Sequence, residues 1–285
     1  MSNRRIIIMG NMGRPDVKEQ IAALDTWFAG RAEVAWVGST KDRPPDLTDV
    51  HLCVVFGGDG TLLAAARALA GSSVPLLGVN MGKLGFLAEF NVEHFQRHFE
   101  DILAGRVEPT ERMMLQVQVE SRRGKGFTSP AANDVAICAG QPFRMIQLNL
   151  IEADRAIVHY HGDGLIVSTP TGSTAYNMSA GGPIMEPTLQ AIVITPIAPH
   201  SLTLRSIAIR PDRQIKILAE RVNTGSAVII DGQINTGLYE GDAVCIRRAE
   251  RDVKIIPHPG RTFFGTLTSK LHWGTSPHQN IQPRQ

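Results

Sequence analysis

Three cysteines in 285 residues are few, and the count is odd. Cys53, Cys138 and Cys245 each sit inside a short apolar run, which excludes a disulfide scaffold and fits buried strand thiols in a reducing cytoplasm. No apolar run approaches the length of a membrane span. The N-terminal run Ile6-Ile7-Ile8-Met9 stops at Gly10, too soon for a signal-peptide core, so a cytoplasmic location with no membrane partner is expected. Charge of one sign is also scarce. With 29 Lys+Arg against 27 Asp+Glu the formal net charge is +2, which excludes the basic footprint of a non-specific nucleic-acid binder. No long like-charge run marks an acidic tail, no internal repeat is found, and Gly and Pro (27 and 17) are too few for a low-complexity chain.

What is present is a hydrophobic fraction of 43%, ordinary for a globular protein of one large domain or two smaller ones. The first third alternates short apolar runs with helical patterns. Strands are expected at Arg5–Gly10, Glu33–Val37, His51–Phe56 and Pro75–Val79. Helices are expected at Val17–Gly30, Leu62–Ala70 and Val92–Ala104. This rhythm implies a parallel sheet covered by helices. Near Pro109 the period changes to two: Leu115, Val117 and Val119 alternate with Gln116, Gln118 and Glu120. Similar segments recur to Ala243–Arg247. The expected fold class is therefore α/β, with an α/β domain over residues 1–110, a mostly β domain over 111–259, and a C-terminal segment, 260–285, returning to the first domain. Phe263, Phe264, Leu267 and Leu271 give that segment helical spacing; the last dozen residues, around Pro277-His278-Gln279, read as a frayed end.

The strongest local signal is Phe56-Gly57-Gly58-Asp59-Gly60-Thr61, between a buried strand and a helix. Adjacent glycines let backbone N–H groups approach phosphate oxygens, and a helix start adds a positive dipole end. Asp59 among them can accept a proton. No Lys-Ser/Thr pair follows, so this is not a Walker loop. A strand-to-helix turn would need no ligand at all. The second signal runs from Gly162-Asp163-Gly164 to Ala175-Tyr176-Asn177, with Ser168, Thr169, Thr171, Ser173 and Thr174 packed into a few positions. Such hydroxyls can bind sugar, base or phosphate, or can simply cap a polar turn. Asn133-Asp134 and Gly82-Lys83-Leu84-Gly85-Phe86-Leu87 are weaker signals. His159, His161 and Asp163 share one face of an extended strand, an alternative metal constellation that the glycines around Asp163 argue against.

Together these segments resemble the bacterial NAD kinases, which phosphorylate the 2′-hydroxyl of the adenosine ribose of NAD with ATP or polyphosphate to give NADP. The resemblance runs from Ile6 to about Trp273 and includes Thr195–His200 and Asp231-Gly232-Gln233. It implies a two-domain kinase whose second, β-sandwich-like domain holds most of the NAD site. It makes Asp59 the general base and sets Gly57, Gly58, Gly60 and Thr61 on the donor phosphates. Asn133 and Asp134 would hold ribose hydroxyls, and Phe86, Thr171, Thr174, Ala175 and Tyr176 would line the adenosine pocket. Ala198, Gln233 and His161 join the NAD site, and Asp163 would reach the NAD of a neighbouring subunit in a homodimer or homotetramer. Mg²⁺ or another divalent cation would arrive with ATP, with no dedicated protein metal site. Two positions depart from the family pattern: Asp134 stands where Glu is usual, and His161 where many members carry Arg. A lipid kinase with the same loop, or an NAD-sensing module with an inactive Asp59, are the rival readings.

Overall fold

The computed structural model describes residues 4–42, 44, 46–82 and 85–274. Lys83 and Leu84 of the Gly82–Leu87 segment, and most of the C-terminal end read as frayed, lie outside the described residues.

The chain opens with β1 (Arg5–Gly10), α1 (Pro15–Phe28), β2 (Glu33–Ser39), β3 (Val50–Phe56), α2 (Asp59–Ala68), β4 (Leu76–Val79), α3 (Val92–Leu103) and β5 (Thr110–Arg112). An all-β stretch follows: β6 (Leu115–Glu120), β7 (Phe127–Ala131), β8 (Asp134–Cys138), β9 (Ile146–Glu152), β10 (Arg155–Gly162) and β11 (Gly164–Ser168). A 3₁₀ turn at Thr171–Thr174 and the one-turn helix α4 (Tyr176–Ser179) interrupt it. Then come β12 (Ile192–Ile197), β13 (Ile207–Ile209), β14 (Ile215–Arg221), β15 (Ala227–Ile230), β16 (Ile234–Gly237), β17 (Ala243–Arg248), β18 (Val253–Ile255) and α5 (Phe263–Leu271).

The first sheet has the order β2-β1-β3-β4-β18-β5, and its first four strands are parallel. Strands β1, β3 and β4 are largely apolar on both sides because helices cover both faces. In β1, Ile6 and Ile8 join α1 and α3, whereas Ile7 and Met9 join α2 on the other face. Helix α1 starts at Pro15, where a missing N–H costs nothing, and buries Val17, Ile21, Leu24 and Phe28 along one stripe. Asn91 caps α3 by accepting from the His94 N–H at 2.7 Å. Trp27 and Phe28 pack against Phe95 and Phe99 and lock α1 onto α3.

The middle of the chain forms two antiparallel six-stranded sheets, β10-β9-β14-β17-β6-β7 and β13-β12-β11-β8-β15-β16. They share one core. Leu115, Val117 and Val119 of the first meet Val135, Ile137, Leu165 and Val167 of the second. This sandwich after a parallel α/β unit is the fold class expected from the change of period.

Several strands carry no sequence signal. Strand β11 is buried at every residue, so it lacks the alternation that marks a half-exposed strand. Strands β5, β16 and β18 have only three or four residues. Strand β18 pairs parallel with β4 through Ile255 and Leu76, and antiparallel with β5. The chain therefore re-enters the first sheet at Val253, inside the stretch that the periodicity assigns to the β domain. Helix α5 then brings Lys270 to the cavity beside Asp59.

Candidate active site

The Gly57–Thr61 loop leaves the C-terminal end of β3 and starts α2, the place where open parallel sheets bind ligands. Gly57 has φ +152, and a Cβ there would meet Thr61 Oγ1 at 2.3 Å. Only glycine lets the chain pass so close to the first turn of α2. Asp59 is the first residue of that helix. Its Oδ2 accepts from the Phe86 N–H at 2.8 Å, and its Oδ1 accepts from the Leu87 and Ala88 N–H groups at 3.0 and 2.9 Å. The carboxylate is clamped from behind by three amides of the Gly85–Ala88 segment. A Cβ on Gly85 would lie 1.8 Å from Asp59 Oδ1, which gives that glycine a reason in packing.

Two clefts flank the loop, and Gly58 lines both. The larger, about 780 Å³, includes Asn11, Lys41, Gly60, Thr61, Arg67 and Gln233 in its walls. The smaller, about 460 Å³, is lined by Arg14, Asp59, Asn80, Gly85, Phe86 and Lys270 among others. Both volumes fall within the range of small-molecule sites, roughly 300–1,000 Å³.

The β domain is tied to the loop through the β15–β16 turn. Asp231 and Gly232 both have positive φ, 49° and 65°, at the centre of a turn closed by the Gln233 N–H donating to the Ile230 carbonyl at 2.9 Å. Gln233 Nε2 donates to the Gly60 carbonyl at 2.7 Å, and Gln233 Oε1 accepts from Arg67. The Asp231 carboxylate is paired with the Arg67 guanidinium at 2.6 Å, its side chain fully buried. It also accepts from the N–H groups of Ala132, Asn133 and Asp134 at 3.0, 2.7 and 3.1 Å. One carboxylate thus joins α2 to the start of β8.

That start is further fixed by the hydroxyl-rich segment. Gly172 packs so tightly that a Cβ would lie 2.2 Å from the Asn133 carbonyl oxygen. Thr169 Oγ1 donates to the Ala132 carbonyl and accepts from the Gly172 N–H. Ser168 Oγ donates to carbonyls of Asn133 and Thr169, and Ser173 Oγ bridges the Met185 N–H and carbonyl. Asn177 is held by Ser173, Pro183 and Thr195. Three of the five hydroxyls, Ser168, Thr169 and Ser173, therefore serve the scaffold. Thr171 Oγ1 and Asn133 Oδ1 differ: both are buried with no hydrogen-bond partner in the described structure. Buried polar atoms left unpaired in a native fold ask for an explanation, and a bound polar group is one.

Asp134 is 4% exposed, and burial together with the charge of Asp231 raises its carboxyl to a pKa of about 7. Tyr176 is 43% exposed and lies against Cys138 on the outer side of β8. Thr174 and Ala175 are half-buried beside it.

Asp163, His161 and Ala198 line neither of the two clefts at the Gly57–Thr61 loop. Asp134 pairs with Ser168 at one end of β11, whereas Asp163 precedes Gly164 at the other end, about 16–17 Å away at the rise of an extended strand. At that end the Asp163 N–H donates to the Ile197 carbonyl at 3.0 Å, the His200 N–H donates to the His161 carbonyl at 2.9 Å, and Ala198 has φ +44. His159 is paired with Glu220, and no cluster of three or more His, Cys, Asp or Glu suited to a metal occurs among the described residues. No described helix is long and apolar enough to cross a membrane.

Sequence reasoning gave no role to Arg67, Asp231, Arg14 or Lys270. Arg67 and Lys270 stand on helices without any motif around them, so nothing short of the fold could have placed them. Asp231 lies in a recognisable Asp-Gly turn.

A glycine-rich loop at the end of a parallel strand, a helix N-terminus, a clamped acid in the wall of a cleft and an attached β sandwich define a phosphate-handling enzyme of two domains. The chain belongs to the NAD kinase family. The model of the ATP-NAD kinase N-terminal domain matches residues 40–107, and that of the ATP-NAD kinase C-terminal domain matches residues 132–258. An NAD kinase of Geobacter metallireducens is 36% identical over 95% of this chain and 99% of its own length. One of Ralstonia nicotianae is 42% identical over 82% and 78%. The crystal structure of an Archaeoglobus fulgidus NAD kinase in complex with ATP superposes with a TM-score of 0.73 at 26% identity, covering 93% of this chain and 99% of that one. The yeast NADH kinase complexed with NADH shares the fold, with a TM-score of 0.85 at 22% identity over 98% and 90%.

Proposed function

We propose that this enzyme transfers the γ-phosphoryl group of ATP to the 2′-hydroxyl of the adenosine ribose of NAD, giving NADP, with Asp59 as general base. The observation that carries the reading is the Asp59 carboxylate, fixed in the wall of the smaller cleft by the amides of Phe86, Leu87 and Ala88. A carboxylate offers about four lone-pair sites, and three are taken, so one direction remains for a substrate proton. In-line phosphoryl transfer asks mainly for positioning, a base at the hydroxyl and positive groups around the moving phosphate. Gly58, Gly60 and Thr61, at the start of α2, line the larger cleft and suit the donor phosphates. The unpaired oxygens of Asn133 and Thr171 suit donors on the sugar and the adenine. Asp134, Phe86, Thr174, Ala175, Tyr176 and Gln233 complete the NAD site in this reading.

The divalent cation belongs to the donor. The Asp59 oxygens already hold three amides, and Asp42, near the larger cleft, accepts from the Ser39 N–H, so neither stands as part of a metal cage. Polyphosphate is the second donor of the proposal. The enzyme acts in the cytoplasm as a homodimer or homotetramer. The absence of Asp163, His161 and Ala198 from the walls of both clefts beside Asp59 supports their serving the NAD of a neighbouring subunit. Incubation with NAD, ATP and Mg²⁺, read with an NADP-specific dehydrogenase, tests the activity. A purified, folded protein that makes no more NADP than its Asp59→Asn variant would overturn it.

A further inference from the structure

The smaller cleft beside Asp59 carries two cations that no motif announces. Arg14 comes from the turn after β1 and Lys270 from the last turn of α5. Both lie outside the stretches matched by the family models, 40–107 and 132–258. They are not equivalent. The Arg14 guanidinium is held by Asp16 through hydrogen bonds of 3.1 and 2.6 Å. Across the larger cleft, Arg67 is likewise committed to Asp231. Lys270 is half-buried, shares the cavity with Asp59, and makes no ion pair among the described residues.

Asp59 sets a negative charge beside the place where a phosphoryl group must arrive. As the 2′-oxygen attacks, its bond to the γ-phosphorus forms and the bond from that phosphorus to the β,γ-bridging oxygen breaks, leaving ADP with the electron pair. The hydroxyl proton passes to Asp59. The phosphoryl oxygens then face a carboxylic acid and whatever cation the cavity supplies. A mobile ammonium with three donors suits a group whose position changes during transfer. We propose that Lys270 donates to the phosphoryl oxygens as they become bonded to the acceptor, and so favours the transition state and the 2′-phosphate of the product over NAD itself. The proposal rests on the NAD phosphorylation argued above.

The test compares wild type with Lys270→Met and Lys270→Arg. Lys270→Met is expected to lower kcat by about 10- to 100-fold with KM for NAD changed less than about threefold, the pattern of an interaction made mainly in the transition state. In calorimetric titrations its affinity for NADP should fall about tenfold while its affinity for NAD holds, and Lys270→Arg should recover most of both losses. A lysine that only supports α5 would shift NAD and NADP affinities together. That result, or a wild-type kcat in the Met variant, overturns the proposal. Lys270→Gln replaces the Met variant if thermal unfolding shows that Met disturbs the fold. A wild-type enzyme that makes no NADP would instead sink the NAD kinase reading itself.

Discussion

The two glycine-rich segments of this chain use their residues in opposite directions. In Gly57–Thr61, Gly58, Gly60 and Asp59 open onto clefts, and the supporting amides come from elsewhere, the Gly85–Ala88 segment. In Gly162–Tyr176 most of the polar groups turn inward. Ser168, Thr169 and Ser173 hydrogen-bond backbone, and the glycines let Tyr160, Ile137 and Asn133 pack against the chain. The lesson is that a dense run of hydroxyls does not measure ligand contact. A buried segment without regular structure must satisfy its own backbone first, and Ser and Thr do that work. The proposed NAD site draws on the minority without partners, Thr171 Oγ1 in this segment and Asn133 Oδ1 beside it.

The contrast is sharpest at Asp59. Asp59→Asn removes the proton acceptor and turns an NH₂ group toward amide donors. It should cost about 10²–10⁴ in kcat with little change in NAD affinity; a variant with near-normal kcat would remove the general base from the mechanism. Next come two glycines with different duties. Gly85→Ala pushes a Cβ into the Asp59 carboxylate and should lower kcat at least about tenfold with a modest loss of stability. Gly172→Ala pushes one into the Asn133 backbone and should cost about 1–3 kcal/mol of stability instead. Paired kinetics and urea unfolding check both, and equal kinetic losses would erase the distinction between the segments.

Two threonines separated by one residue divide the second segment itself. Thr169→Val breaks two buried hydrogen bonds and should destabilise by about 1–3 kcal/mol. Thr171→Val removes an oxygen that has no partner, so stability should hold while KM for NAD rises about tenfold. A stability loss at Thr171 equal to that at Thr169 would make the whole run scaffold.

Asp134 joins the two regions through pH. Its folded pKa of about 7 lies above the ordinary carboxylate value, so between about pH 4 and 7 the folded state holds a proton that the unfolded chain has lost. Stability from this site is present at low pH and falls as pH rises through 7. Asp134→Asn should therefore gain on the order of 2 kcal/mol over wild type at pH 8, a gain that shrinks toward pH 4 in urea unfolding. A gain independent of pH would mean that Asp134 does not titrate this way.

The smallest effect is expected at His161, which lies near the end of β10 and lines neither cleft beside Asp59. NAD⁺ and NADH differ by a charge on the nicotinamide ring. An Arg is always charged and presents a rigid fork of donors, which a His does not. The enzyme should accept NADH more weakly than NAD⁺, and His161→Arg should lower the NADH rate relative to the NAD⁺ rate by a few-fold, read as paired kcat/KM values. An unchanged ratio would detach this end of the sandwich from substrate choice.

Much of this molecule was legible in the sequence. Periodicity located the βα units of the first sheet because each is local: an apolar strand, a turn, an amphipathic helix. The period of two from Leu115 onward announced the sandwich. The Gly57–Thr61 loop could be read because its glycines are required by backbone close to them in the chain, as Gly57 is by Thr61. Strands β11, β16 and β18 were not legible, since full burial or three to four residues leave no alternation to detect.

The chain alone thus determined the order of elements, the two domain types and the one acid that a phosphate loop presents. Only the tertiary structure decided which residues surround that acid. The amides of Phe86–Ala88, the Arg67–Asp231 pair that joins the domains, the two unpaired oxygens and Lys270 meet across separations of tens to more than two hundred residues. Such contacts form only after the loops between them have closed, and local propensity carries no record of them.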